Sequence, residues 1–269
     1  MTERGTSSAV SFHDVECVFE HESGRTVRAL DGVSFEVPAG QFVAIVGRSG
    51  HGKSTLLRCL AGLQATTAGD VRVGSRSIDR PGPDRSMVFQ QDAVFPWMSV
   101  RDNVEFGLRA QGVAKEERHQ TSTRWLEEVQ LIDFADSWPR ELSGGMRKRV
   151  ALAAVLAMDS EVWLMDEPFG SLDYFTRRAL HDLLLTLWDE TNKTVFFVTH
   201  DIEEALILAD RVLLVRDGRI VEDLPNTLPR PRDEEVRASR PSVDMTKTIV
   251  DHLGSDGSIT LLDPTAGGD

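Results

Sequence analysis

A chain of 269 residues with 41% hydrophobic content can build one large α/β domain or two smaller ones, and its formal net charge of −13 argues against broad adhesion to nucleic acid or to an anionic membrane surface. No apolar run approaches the about eighteen residues that span a bilayer, and residues 1–11 lack the apolar core of a signal peptide, so the chain reads as soluble and cytosolic. Cys17 and Cys59 are the two cysteines, and their spacing suits neither a disulfide framework nor a zinc site.

Residues 1–10 read as a flexible N-terminus. Two short strands, 11–19 and 33–37, follow on either side of a polar, hairpin-like stretch at 21–26, which suggests an antiparallel layer feeding a nucleotide-binding core. Phe19, near the end of its strand, either packs in the core or stacks on a base. The apolar run Phe42-Val43-Ala44-Ile45-Val46 then delivers Gly47-Arg48-Ser49-Gly50-His51-Gly52-Lys53-Ser54-Thr55. Its spacing, G-x-x-x-x-G-K-[ST], between a buried strand and a helix start, is that of a P-loop. Glycines let successive N–H groups point into one anion-sized hollow, and the helix adds its positive end. The reading is nucleoside triphosphate binding, with Lys53 reaching the β- and γ-phosphates and the Ser54 hydroxyl offered to Mg²⁺.

Beyond the P-loop helix, the strand 87–89 delivers Gln90 and Gln91 at its carboxyl end, where ligands collect in open α/β sheets. A glutamine there contacts Mg²⁺ or water, or faces solvent. Phe95-Pro96-Trp97-Met98 must be a loop, because Pro96 disfavours helix before it; the cluster is either a partner surface or tucked under the next helix. From 99 to about 158 the pattern is helical, with an irregular connection at 131–141, which predicts a helical subdomain of about residues 95–160 inserted into the sheet-bearing one. Leu142-Ser143-Gly144-Gly145-Met146 opens a helix in which Ser143 is a natural N-cap. It is a plain helix start or a second anion site.

Val162-Trp163-Leu164-Met165 has a buried-strand pattern and ends in Asp166-Glu167-Pro168. Two acids at the tip of a core strand beside a P-loop suit a division of labour: Asp166 holds the Mg²⁺ shell and Glu167 orients or deprotonates the attacking water. Gly170-Ser171-Leu172-Asp173 turns into an amphipathic helix; the next buried strand, 194–198, ends in Thr199-His200-Asp201. His200 is structural or senses the γ-phosphate through a hydrogen bond. A helix at 203–209 and strands at 212–215 and 219–222 finish the sheet, and a Pro- and charge-rich stretch leads to a helix at 245–252 and a loose end.

These motifs, in this order over residues 12–222, resemble the ATP-binding subunit of an ABC transporter. Gly47 to Ser54 fits its P-loop, Gln90 its Q-loop, Leu142 to Met146 its signature, Val162 to Glu167 its Walker B strand, Ser171-Leu172-Asp173 its D-loop and His200 its switch histidine. The resemblance implies an α/β P-loop NTPase core with a mainly parallel sheet, an N-terminal antiparallel β layer and an inserted α-helical subdomain, as one ATPase domain over 11–224 with 225–269 as a C-terminal extension. It implies ATP and Mg²⁺ as cofactors, nucleotide contacts from Phe19, Gly47, Ser49, Gly50, Gly52, Lys53, Ser54, Thr55 and Asp173, and metal contacts from Ser54, Gln90 and Asp166. Glu167 becomes the catalytic base, His200 its partner and Gln90 the link to the helical subdomain.

Such subunits act as head-to-tail homodimers, so Ser143, Gly144 and Gly145 close over the ATP of a second copy. Integral membrane permease subunits are expected at Phe95 to Met98, a solute-binding protein completes the system, and nucleic acid is not a partner. That places the chain peripherally on the cytoplasmic face of the membrane. Within the family, Phe95-Pro96-Trp97 and Asp166-Glu167-Pro168-Phe169-Gly170 look most like importers of the nitrate, sulfonate and taurine type. Alternatives are an exporter or lipid-moving system, or a soluble ABC protein acting on DNA or ribosomes. Lys148 stands where the family usually has Gln, Ala154 where Arg is common, and His51 and Ser171 replace commoner small residues.

Overall fold

The computed structural model describes residues 7–20, 26–90, 94–170 and 172–254. Residues 21–25 of the hairpin-like stretch expected at 21–26, Gln91, Ser171, the first six residues and the end beyond 254 lie outside the described residues. Strands β1 (Val10–Glu20) and β2 (Thr26–Val37) form an antiparallel pair, and β3 (Phe42–Val46) leads through the P-loop to helix α1 (Lys53–Ala61). Next come β4 (Ala68–Val73), the short β5 (Arg76–Ser77) and β6 (Arg85–Val88). The helical layer holds α2 (Val100–Ala110), α3 (Lys115–Glu128) and α4 (Gly144–Ala157), with two 3-10 turns at Ile132–Phe134 and Pro139–Glu141 in the connection that reads as irregular. Then follow β7 (Val162–Asp166), α5 (Tyr174–Thr191), β8 (Thr194–Thr199), α6 (Ile202–Leu208), β9 (Arg211–Arg216), β10 (Arg219–Pro225), α7 (Glu234–Arg237) and α8 (Arg240–Gly254).

Two sheets result. One is antiparallel, in the order β2-β1-β4-β5; the other runs β10-β9-β3-β8-β7-β6, parallel except for β10. The parallel sheet is covered on both faces, which explains why its strands are continuous apolar runs and not alternating ones. Phe42, Ala44, Val46, Trp163, Met165 and Phe197 point to the helical side, whereas Val43, Ile45, Leu164, Phe196 and Val198 point to α1 and the antiparallel sheet. Period-two alternation thus sorts one strand into two cores.

The strand β2 begins at Thr26, seven residues before the expected Val33, because Val27, Arg28 and Leu30 pair with Phe19, Val18 and Cys17 of β1. It is an edge strand, and its exposed polar positions hide the alternation. The last strand runs on to Pro225 and α8 starts at Arg240, both longer than the apolar pattern predicts.

After β10 the chain returns to α6 and satisfies its C-terminal carbonyls. Asn226 Nδ2 donates to Leu206 O and Ala209 O (both 2.8 Å), Arg230 Nη2 to Leu208 O (2.6 Å), and Arg232 Nη1 to Ile207 O (3.1 Å) and Ala209 O (2.7 Å). A seven-residue helix has few internal bonds, and its last carbonyls need partners. Burial pulls the Arg232 guanidinium down to about 10, with Arg230 adding to the effect.

Candidate active site

The P-loop lies at the carboxyl end of β3 and is pinned by backbone on two sides. A Cβ on Gly47 would sit 2.3 Å from Val215 O, and one on Gly52, at φ +98°, would sit 2.3 Å from Ala29 O. Gly50 also has positive φ, +82°, but faces open space, and with Ser49 it forms the exposed turn of the loop. His51 is a fastening point: its Nδ1 accepts from Asp217 N (3.0 Å) and its carbonyl from Gly218 N (3.2 Å), so the β9–β10 turn grips the loop. Phe19 is 40% exposed and pairs with Val27, two residues from the Ala29 that backs Gly52.

Lys53 is buried at the start of α1, and its ammonium donates to Gly47 O (2.8 Å) and Arg48 O (3.0 Å), which holds it within the loop. Burial pushes this ammonium below its ordinary range, while the nearby Glu167 and Asp166 carboxylates pull it back up. Ser54 Oγ donates to Asp166 Oδ1 (2.9 Å), and Thr55 is half-buried beside it in the first helical turn. Burial raises the Asp166 carboxyl above its usual range, partly offset by the Ser54 hydrogen bond. A hydroxyl and a buried carboxylate brought to one point are hard oxygen donors, and a set this small leaves positions for water and phosphate, as Mg²⁺ prefers. The residues therefore fit the ion, which would be held by Ser54 and Asp166. Among the described residues no group of three or more His, Cys, Asp or Glu forms a metal cluster of its own.

Glu167 follows β7 with φ +46°, a left-handed conformation uncommon for a non-glycine residue and often found at functional sites. Its N–H donates to Val198 O of the neighbouring β8 (2.9 Å), which turns the side chain across the strand ends. Its Oε2 is 3.2 Å from both Gln90 Nε2 and His200 Nδ1, so Gln90 donates, and His200 donates in the tautomer with its proton on Nδ1. Two side chains, from the ends of β6 and β8, thus converge on one carboxylate oxygen at the end of β7. Gln90 is tied to Glu167, one residue along from the Ser54–Asp166 pair.

Ser143 caps α4, its Oγ accepting from Met146 N (3.3 Å), and leaves Gly144 exposed at the helix start. A Cβ on Gly145 would touch Leu172 Cδ2 (3.5 Å) and Thr176 Cγ2 (3.4 Å), so this turn lies against the start of α5. There Asp173 is the N-cap, and hydrogen bonds from Thr176 hold its carboxyl below the usual range. Beside them Tyr174 and Phe175, stacked edge to face, are 60% and 81% exposed.

The Phe95–Met98 loop is partly packed and partly presented. Phe95 is half-buried against Phe106, whereas Trp97 is 67% exposed. An open apolar cleft of about 330 Å³ beside it, between sheet and helical layer, is lined by Phe89, Val94, Phe95, Phe106, Ala154 and Met158. Ala154, where the family commonly has Arg, thus forms part of its wall.

Three features escape motif reading. Asn103 is buried and holds the whole Phe95 loop, accepting from Phe95 N and donating to Phe95 O, Met98 O and Ser99 O. Its one signal is that it interrupts the apolar spacing Val100, Val104, Leu108 on α2. A buried network joins His181 of α5 to Glu204 of α6 (2.8 Å) and Glu204 to Thr199, the residue before His200. Lys148 of α4 donates to Gln90 O (3.2 Å).

A family model described as "ABC transporter" matches residues 30–170. The nitrate import ATP-binding protein NrtD of Synechocystis sp. is 46% identical over 229 residues, 84% of this chain and 85% of that protein. The taurine import ATP-binding protein TauB of Rhizobium johnstonii is 49% identical over 205 residues, 76% of this chain and 78% of that one. Among solved structures, the dimeric post-hydrolysis state of the ATP-binding cassette MJ0796 bound to ADP and Pi superposes with a TM-score of 0.74 at 31% identity, covering 81% of this chain and 98% of that chain. The family match spans the P-loop between β3 and α1, the glycine-rich start of α4 and the paired acids at the end of β7: the chain belongs to the ABC transporter family and is one of its ATP-hydrolysing cassettes.

Proposed function

We propose that this cassette powers the import of a small oxyanion or sulfonate, of the nitrate or taurine class, through a separate integral membrane permease. The observation that carries the hydrolytic part is the convergence of Gln90 and His200 on Glu167 beside the P-loop. In this reading Lys53 and the P-loop N–H groups bind the β- and γ-phosphate oxygens of ATP, and Phe19 stacks on the base. When bound by Ser54 and Asp166, Mg²⁺ supplies neutralisation of phosphate charge. Gln90 and His200 orient the Glu167 carboxylate, which accepts a proton from water as the water oxygen bonds to the γ-phosphorus and the bond to the ADP oxygen breaks. A base so placed contributes about 10²–10⁴-fold to the rate.

One chain supplies half of each site. Ser143, Gly144 and Gly145 close over the ATP of a second copy, and Asp173 lies at the same face, where the exposed Tyr174 and Phe175 offer apolar contact. The head-to-tail homodimer is supported by the dimeric cassettes of similar structure. Among the described residues no helix is long and apolar enough to cross a membrane. In this reading the chain attaches to the cytoplasmic face through the permease. Trp97 and the adjoining cleft suit that contact. A solute-binding protein completes the system. Support for the solute class comes from the nitrate and taurine import proteins at 46% and 49% identity.

The test is to purify the intact complex through a tag on this chain, reconstitute it in vesicles and measure ATPase activity and uptake with nitrate, taurine or an alkanesulfonate. Stimulation and ATP-dependent uptake of one of them is expected. Outward movement of a solute or lipid, or recovery with ribosomes or DNA and no membrane protein, would overturn the reading.

A further inference from the structure

We infer that Lys148 is a positioning residue for hydrolysis: from the helix that carries Ser143, Gly144 and Gly145, it holds Gln90 over Glu167. This rests on the roles just proposed for Gln90 and Glu167. Lysine is almost never buried without a partner that justifies it, yet Lys148 is 8% exposed. Its ammonium donates to the backbone carbonyl of Gln90 at 3.2 Å, a charge-assisted bond 58 residues across the sequence. One narrow crevice is lined together by Lys148, by Val88 and Phe89, and by Pro168 and Phe169. This lysine therefore shares a crevice with the residues leading into Gln90 and with those leading away from Glu167.

The path from α4 to the carboxylate is two hydrogen bonds long: Lys148 to the Gln90 carbonyl, then the Gln90 amide to Glu167 Oε2. Lys148 follows Gly144 by four residues, one helical turn, so a rigid α4 carries both together. A shift of α4 when its N-terminus meets nucleotide moves the Gln90 backbone and with it the amide that orients the base. The other hydrogen bonds of Glu167, to the Val198 carbonyl, the Gly170 N–H and His200, are made by β8, the strand tip after it and the loop that follows Glu167. Lys148 thus provides a hydrogen-bonded route by which the helical layer reaches the reacting carboxylate.

The experiment measures steady-state ATP hydrolysis and thermal unfolding of the full-length protein for Lys148→Met, Lys148→Arg, Gln90→Ala and the Lys148→Met/Gln90→Ala pair. Lys148→Met keeps the stem and removes the donor; kcat is expected to fall about tenfold, with KM for ATP and melting temperature little changed. Lys148→Arg, which keeps a donor, should recover most of that loss. In the Gln90→Ala background, Lys148→Met should cost nothing further, because the group it positions is gone. Multiplying losses in the pair, an unchanged kcat in Lys148→Met, or a fall in melting temperature unrelieved by Arg would overturn the inference. If Gln90→Ala itself leaves kcat intact, the role assigned to Gln90 has failed instead.

Discussion

The three P-loop glycines separate two causes of damage that are usually confounded. Gly50→Ala meets open space but must hold φ at +82°; Gly47→Ala has no positive φ but would meet Val215 O at 2.3 Å; Gly52→Ala suffers both, at φ +98° and 2.3 Å from Ala29 O. A left-handed conformation costs an L-residue about 1–2 kcal/mol, and overpacking against groups that cannot retreat about 1–3 kcal/mol. Retreat is blocked because Val215 belongs to β9, paired on both sides, and Ala29 to β2, paired with β1. Gly50→Ala should therefore cost about 1–2 kcal/mol and Gly52→Ala about 2–5 kcal/mol, which at about 2–4 °C per kcal/mol gives melting shifts of about 2–8 °C and about 4–20 °C. The steric pair also loses function: relieving 2.3 Å to the 3.4 Å of ordinary contact moves the loop by about 1.1 Å. A displacement of that size costs up to about 100-fold in kcat/KM. Differential scanning fluorimetry and ATPase kinetics on the three variants provide the measurement. If Gly50→Ala harms stability and kcat/KM as much as Gly52→Ala, the backbone carbonyls are not what limits this loop.

Glu167→Gln keeps an oxygen able to accept from Gln90 and His200 but removes the base, so it should bind ATP, lose about 10²–10⁴-fold in turnover and accumulate an ATP-held dimer on gel filtration. Unchanged turnover would remove Glu167 from that role. Trp97→Ala should reduce recovery of permease with the tagged cassette and blunt solute-stimulated ATPase activity, whereas a drop in the melting temperature of the isolated chain would assign Trp97 to packing. Cys17 and Cys59 are buried, and burial pushes the Cys59 thiol up to about 12, with burial raising Cys17 as well. A thiol reagent should leave the native protein unlabelled and titrate both cysteines after denaturation; rapid labelling of native protein would contradict this burial.

The strand ends of the site are legible from the chain because each is punctuated by chemistry: an apolar run stops and a Gly-rich, acidic or His-containing tip begins. The same apolar runs hide which residues face which core, since a doubly covered strand has no polar alternation to show it. What sequence does not display is side-chain reach. Lys148 reads as a departure from a motif until its ammonium meets a carbonyl on another element, and Asn103 reads as one more polar helical residue until its amide gathers the loop around Phe95. The early start of β2 is hidden for a different reason, because pairing with β1, and not its own pattern, makes residues 26–32 extended.

The bonds from Asn226, Arg230 and Arg232 to the carbonyls at the end of α6 bear on how cassettes of this kind exchange parts. A recombinant hybrid joined where the sheet ends, at Pro225, would inherit the helix behind His200 from one parent and its terminating partners from the other. Four polar groups would then depend on a match between sequences never selected together. The heritable unit that includes His200 therefore extends to Arg232, and a swap that respects this border keeps His200 ahead of a helix already closed at its far end.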